Sequence, residues 1–258
     1  MSKLTDRIER ANREAPARLG FGPASQQEKV CPMVLVGLYQ HPTKDPPNTD
    51  GKPDALVFRL EAVKKQSLEK VASALSGEAW GVWANSLDGE QAAWLKEKGC
   101  DFVVVPAQGT PLDALKDEMG RFLYVAGTLD DELGRTIEDM PVDGVVMESV
   151  EETPISLKTL MLISSVRGFT GKPVLLARSS PVTSWEIQCL WDIGIDGLVI
   201  DVEKATPEAL GATRKKMGEL ARRRPRPDRS SALIPNVAPL AARPPHRHEE
   251  EEEEEEEE

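Results

Sequence analysis

Short apolar runs alternate with helix-period segments along most of the chain, the pattern of a parallel sheet built from βα units. Runs that read as strands lie at 33–38, 55–60, 80–84, 102–106, 122–126, 144–148, 174–178 and 197–202. Between them the pattern predicts helices over 67–76, 88–98, 111–119, 129–139, 155–167 and 183–193, and a last one over 206–222. Residues 3–15 form an amphipathic segment with Leu4, Ile8 and Ala11 on one face, suited to covering the bottom of a barrel. One gap interrupts the alternation. From His41 to Pro53 the chain holds Pro42, Pro46, Pro47 and Pro53, too much proline for a helix. Either the first crossover lacks its helix or the first strand is wrongly assigned.

An internal repeat favours one architecture. Every second strand opens with an aspartate: Asp54-Ala-Leu-Val-Phe-Arg59, Asp101-Phe-Val-Val-Val-Pro106, Asp143-Gly-Val-Val-Met-Glu148 and Asp196-Gly-Leu-Val-Ile-Asp201. Gly99 and Gly194 precede two of them, where a left-handed residue stops a helix before a strand. Four copies of a two-strand unit make eight strands, so the expectation is an α/β (βα)8 barrel over 30–222. An N-terminal helix and lead-in occupy 1–29. An open flavodoxin-like or Rossmann-like sheet is the alternative.

The stretch Gly194-Ile195-Asp196-Gly197-Leu198-Val199-Ile200 resembles late strands of aldolase-type and phosphate-binding TIM barrels, and the general rhythm extends the resemblance over about residues 30–220. It implies a superfamily and no particular family. The eighth strand runs on into Asp201-Val202-Glu203 and not into a glycine-rich turn, so fixed negative charge opposes a phosphate there.

Side chains on a strand alternate faces. Counted from each aspartate, positions two and four are bulky and apolar (Leu56/Phe58, Val103/Val105, Val145/Met147, Leu198/Ile200) and belong against helices. Positions one, three and five then face the barrel interior. The fifth places Arg59, Glu148 and Asp201 at the C-terminal rim, where this fold carries its chemistry. The odd strands are harder to phase; their ends offer Tyr39, Gln40, Asn85, Ser86, Arg178, Ser179 and Ser180. Trp80 and Trp83 are three residues apart, so one enters the barrel, while helix packing accounts for Trp94, Trp185 and Trp191.

These residues suit a small anionic ligand, most simply a carboxylate. Arg59 or Arg178 would clamp it as a planar fork, with Asn85 and Ser179 as further binding groups. Glu148 and Asp201 would hold a divalent cation such as magnesium, or divide general acid and base roles. The reaction expected is a lyase or isomerase step. The competing reading is a non-catalytic barrel whose mouth holds a structural ion pair and whose tail recruits a partner.

Other classes lose support. No predicted strand ends on a lysine for a Schiff base, and His41 is the one histidine ahead of the tail, so a multi-histidine metal site is not expected. No Walker, GxGxxG or nucleophile-elbow motif occurs. No apolar run approaches a membrane span, no secretory signal opens the chain, and Cys31, Cys100 and Cys189 show no metal or redox spacing. A cytoplasmic location follows as the expectation.

Charge changes the picture only at the end of the chain. The formal net charge is −12 from 32 basic and 44 acidic residues, and ten of the acids are Glu249–Glu258. Residues 1–248 therefore hold 34 acidic groups against 32 basic ones, which leaves no nucleic-acid footprint. Residues 223–258 run from arginine and proline into glutamate and read as a disordered tail. Leu233-Ile234-Pro235-Asn236-Val237 is its one apolar segment, a candidate for docking on the barrel or on a protein partner.

Overall fold

The computed structural model describes residues 2–12, 31–40, 53–63, 65–116, 118–127, 129–148, 154–179 and 182–221. Eight parallel strands close into one barrel in sequence order. They are β1 (Val34–Tyr39), β2 (Ala55–Leu60), β3 (Trp80–Ala84), β4 (Phe102–Pro106), β5 (Gly120–Ala126), β6 (Gly144–Glu148), β7 (Val174–Arg178) and β8 (Gly197–Asp201). The helices are α1 (Lys3–Asn12), α2 (Lys65–Ala74), α3 (Gly89–Glu97), α4 (Asp131–Thr136), α5 (Leu157–Phe169), α6 (Ser184–Ile193) and α7 (Pro207–Gly218). The chain is an α/β barrel with an N-terminal helix, and the open-sheet alternative is excluded by the pairing of β8 with β1. Among the described residues, no helix is long and apolar enough to cross a membrane.

The first strand was correctly assigned: β1 pairs in parallel with β2, so the proline-rich segment joins adjacent strands. Its residues 41–52 lie outside the described ones, as do the lead-in 13–30 and the tail from residue 222 onward, including the 233–237 segment. Two predicted helices are shorter than expected. The 111–119 segment keeps only a 3₁₀ turn at Leu112–Leu115, after the turn at Gly109 and Pro111 has used part of a short crossover. The 129–139 segment changes from α4 to a 3₁₀ turn at Ile137–Asp139. Where caps are strong the helices are regular. Thr183 and Glu186 form a reciprocal capping box at the start of α6, and Gly194 ends it in the left-handed region at φ 107°.

Packing follows the alternation. Positions two and four of the even strands face the helices, in two clusters that contain Leu56, Phe58, Val103 and Val105, and Val145, Met147, Leu198 and Ile200. The interior cluster holds Val36, Val57, Val104, Val146 and Val199 with Trp83, Phe102 and Phe122. Trp83 is thus the tryptophan that enters the barrel, and Trp80 packs outside against Phe58. Small residues make room for the rings. A Cβ at Gly81 would come within 2.6 Å of the Phe102 ring, and one at Gly144 within 2.7 Å of Phe122. At the bottom, Leu4 and Ile8 of α1 seal this interior cluster.

The repeated aspartates have a structural role there. Each backbone N–H donates to the preceding strand or its leading residue: Asp54 to Leu35, Asp101 to Trp80, Asp143 to Arg121, Asp196 to Val174. Three carboxylates accept the N–H of that same residue in return, Leu35 at 2.9 Å, Arg121 at 2.8 Å and Val174 at 2.9 Å. Each reciprocal pair fixes one strand against the next. The Asp101 carboxylate instead accepts from the Lys3 and Leu4 N–H groups at 2.7 and 2.9 Å and from the Ser2 hydroxyl, capping α1 from outside the helix. One copy of the repeat therefore holds the helix that closes the barrel floor.

Asp196→Ala leaves the buried Val174 N–H without its carboxylate and is expected to cost about 1–3 kcal/mol in urea unfolding. Asp101→Ala is expected to accelerate hydrogen exchange in α1 first. Equal exchange changes across the barrel in Asp101→Ala would contradict the division of labour.

Candidate active site at the barrel mouth

Arg59 lies one residue before the end of β2 and Glu148 ends β6, on opposite walls of the barrel. Both side chains face inward and meet across the mouth: Nη1 donates to Oε1 at 2.6 Å and Nη2 to Oε2 at 3.1 Å. The guanidinium lies 4.7 Å from the centroid of the Trp83 ring beneath it and 6.0 Å from that of Tyr124. Tyr124, inward-facing on β5, donates its hydroxyl to Glu148 Oε2 at 2.6 Å. The ion pair is part-exposed, at 28% for the Arg59 side chain and 36% for Glu148, so it faces solvent from above while the aromatic rings line its underside.

This network sets protonation. Burial pushes the Glu148 carboxyl up, but the bonds from Arg59 and Tyr124 outweigh it and hold the group below its ordinary value. The bond to Glu148 raises Arg59 further against a smaller desolvation effect. Burial, with the adjoining Glu148 charge, pushes the Tyr124 phenol up to about 12. At neutral pH the mouth therefore presents a carboxylate, a guanidinium and a protonated phenol. Glu148 takes two of the five guanidinium N–H groups, and three remain for a second anion.

Asp201 faces inward from β8 but does not bond Arg59. It is fully buried and accepts from the Gln40 amide at 3.0 Å and from the backbone N–H groups of Glu203 and Lys204 at 3.0 and 3.3 Å. The Lys204 ammonium is 4.0 Å away. These donors occupy both oxygens, so Asp201 organises the turn after β8 and orients Gln40. Arg178 faces the helices: Val174 and Leu176, two and four residues before it, lie in the outer cluster. It is 5% exposed near Glu186, with burial lowering its basicity and that carboxylate opposing the effect. Of the two arginines expected to clamp an anion, Arg178 is therefore not presented to the mouth. Asn85 is exposed beyond the end of β3. Ser179 lines a cavity of about 180 Å³ with Ile200, Lys204, Thr206, Leu210 and Thr213, between the last strands and α7.

A resident magnesium ion does not fit this donor set. Glu148 already accepts from Arg59 and Tyr124, Asp201 accepts only from donors of its own neighbourhood, and no group of three or more His, Cys, Asp or Glu converges among the described residues. Tyr124 is the mouth residue that sequence reasoning passed over. Its signal was a lone hydroxyl in the otherwise apolar run 122–126.

No protein-family model matches the chain. A search of curated proteins likewise gives no match. Similar solved structures exist. Tryptophan synthase from M. tuberculosis, in an open form with BRD0059 bound, is 14% identical with a TM-score of 0.57, over 83% of this chain and 95% of that one. The tryptophan synthase A-subunit from Pyrococcus furiosus is 14% identical with a TM-score of 0.55, over 73% of this chain and 97% of that one. At such identity the likeness is one of fold alone: the chain has the closed eight-strand fold of a TIM barrel.

Proposed function

We propose that the barrel mouth is the reaction site of a lyase or isomerase acting on a small carboxylate. The observation that carries this reading is the half-exposed Arg59–Glu148–Tyr124 network at the C-terminal rim. The substrate carboxylate takes the remaining N–H edge of Arg59, in plane with the guanidinium. As Arg59 shares its charge with the substrate, Glu148 loses part of what holds its proton affinity down and becomes a better base. Tyr124, protonated, supplies the returning proton. Gln40, held by Asp201 through its amide nitrogen, keeps its carbonyl oxygen for a substrate hydroxyl. Solved tryptophan synthases carry the same fold, but the residues named here carry the proposal.

A second reading has one observation in its favour: Arg59 and Glu148 satisfy each other bidentately across the barrel, as a purely structural closure would. In that reading the barrel is an assembly protein, recruiting a partner through residues 233–237.

Thermal unfolding with a panel of small carboxylates separates the two. A substrate-like ligand at about 100 times its dissociation constant adds roughly 2.7 kcal/mol, a rise of about 5–10 °C for a domain this size. The enzyme reading expects that shift in the wild type, its loss in Arg59→Met, and in Tyr124→Phe binding retained with turnover reduced at least 100-fold. No response to any carboxylate, with the variants merely less stable, would give the structural reading the lead.

Titration gives an independent check. The Tyr124 phenol, raised to about 12, contributes stability fully present below its unfolded value and lost as pH rises through the folded one. Glu148, lowered, contributes stability present above its unfolded value and lost as pH falls through the folded one. In a Tyr39→Phe background, phenolate absorbance is expected to shift to lower pH in Glu148→Gln; an unchanged titration would contradict the coupling.

A further inference from the structure

The Arg59–Glu148 ion pair runs from β2 to β6 and divides the barrel mouth in two. The β3–β5 half is aromatic, with Trp83 and Tyr124 beside the guanidinium. The β7–β1 half is polar and holds Asp201 and Gln40. Val36 and Leu38 of β1 lie in the interior cluster, so alternation turns Gln40 inward as well. Tyr39 pairs with Phe58, so Gln40, one step on, stands level with Arg59 on the neighbouring strand, about 4.8 Å away at the backbone. Leu38 pairs with Asp201, which puts that carboxylate below Gln40.

The bonds in the polar half fix the orientation of the Gln40 amide. Asp201 Oδ1 accepts from the backbone N–H groups of Glu203 and Lys204, and Oδ2 from Gln40 Nε2 at 3.0 Å. A carboxylate only accepts, so Gln40 gives it the NH2 end and turns its carbonyl oxygen away. Asp201 is fully buried, Gln40 is part-exposed, and among the described residues the Gln40 carbonyl has no donor. Cationic donors on Arg59 and a neutral acceptor on Gln40 therefore stand on neighbouring strands.

We propose that the ligand of this mouth is a 2-hydroxy acid, and that Asp201 sets the preference for hydroxyl over carbonyl by fixing the Gln40 amide. This rests on the reading of the mouth as a carboxylate site. The ligand's carboxylate takes the remaining N–H edge of Arg59, and its hydroxyl donates to Gln40 Oε1. Groups held from neighbouring strands lie close together on a small ligand, which places the hydroxyl on the carbon next to the carboxylate. A 2-oxo acid of the same skeleton brings an acceptor against the Gln40 carbonyl, and neither oxygen has a proton to share. Asp201 touches no ligand atom and is a positioning residue.

Replacing one oxygen of Asp201 by NH2 reverses the preference. In Asp201→Asn the Glu203 and Lys204 N–H groups keep the side-chain oxygen on their side, so the new NH2 faces Gln40. The Gln40 amide then turns over, accepts through its oxygen and presents its own NH2 to the mouth.

Calorimetric titration of the full chain with matched pairs tests this: lactate and pyruvate, 2-hydroxybutyrate and 2-oxobutyrate, 2-hydroxyglutarate and 2-oxoglutarate. In the wild type the hydroxy member of a pair that binds is expected to bind about 10-fold more tightly, the worth of one hydrogen bond. Asp201→Asn is expected to invert the ratio, whereas a merely structural role for Asp201 would weaken both members alike. Gln40→Met, at a part-exposed position, is expected to abolish the preference while both members still bind. Equal affinities within the wild-type pairs, tighter binding of the oxo members, or a hydroxy preference that survives in Asp201→Asn or in Gln40→Met overturns the proposal and leaves the carboxylate site standing. No binding by either member of any pair overturns the carboxylate reading itself, and this inference with it.

Discussion

The reciprocal bonds between each opening aspartate and the strand before it govern the rest of the molecule. In a parallel barrel a slip of one residue turns every side chain to the other face. Pairing Asp54 with Leu35, Asp143 with Arg121 and Asp196 with Val174 through both N–H and carboxylate fixes register two strands at a time. Once register is fixed, the first and third positions fill the interior and the fifth reaches the mouth. Arg59 and Glu148 meet across the barrel because of bonds made at its opposite end.

What meets there is a balance of charges with little slack. Each partner of Glu148 favours its ionised form, and the same carboxylate keeps Tyr124 protonated. The ring of Trp83 beneath Arg59 limits access to one side, so a ligand arrives from above or not at all. In the proposed reading an anion bound there shares Arg59 with Glu148, and that sharing is what would make the ion pair responsive. Asp201 stands apart from the exchange, because its own loop and Gln40 use its oxygens.

Much of this was legible in the sequence, and two of the exceptions share one cause. The even strands carry aspartate markers and alternate bulky with small residues, so their phase could be read. β7 offers Val-Leu-Leu-Ala before Arg178 and is buried on both faces, so alternation there carries no phase, and Arg178 proved to face the helices. β5 begins two residues before its apolar run, and Tyr124 was lost among residues that look alike on either face. Asp201 does face inward, but nothing in Val202-Glu203-Lys204 marks that the backbone N–H groups at Glu203 and Lys204 fold back onto its carboxylate. Trp185 stands exposed at 74% near the start of α6, not in the helix packing expected of it. The proline-rich link raised a false doubt about β1, whose pairing on both sides removes it.

Arg59 and Glu148 act on each other across the mouth. A double-mutant cycle of Arg59→Met and Glu148→Gln, read by urea unfolding, measures that interaction. The expected coupling energy lies between about 0.5 and 3 kcal/mol. Additive effects, with coupling below about 0.3 kcal/mol, would contradict it and remove the basis for a site at the mouth.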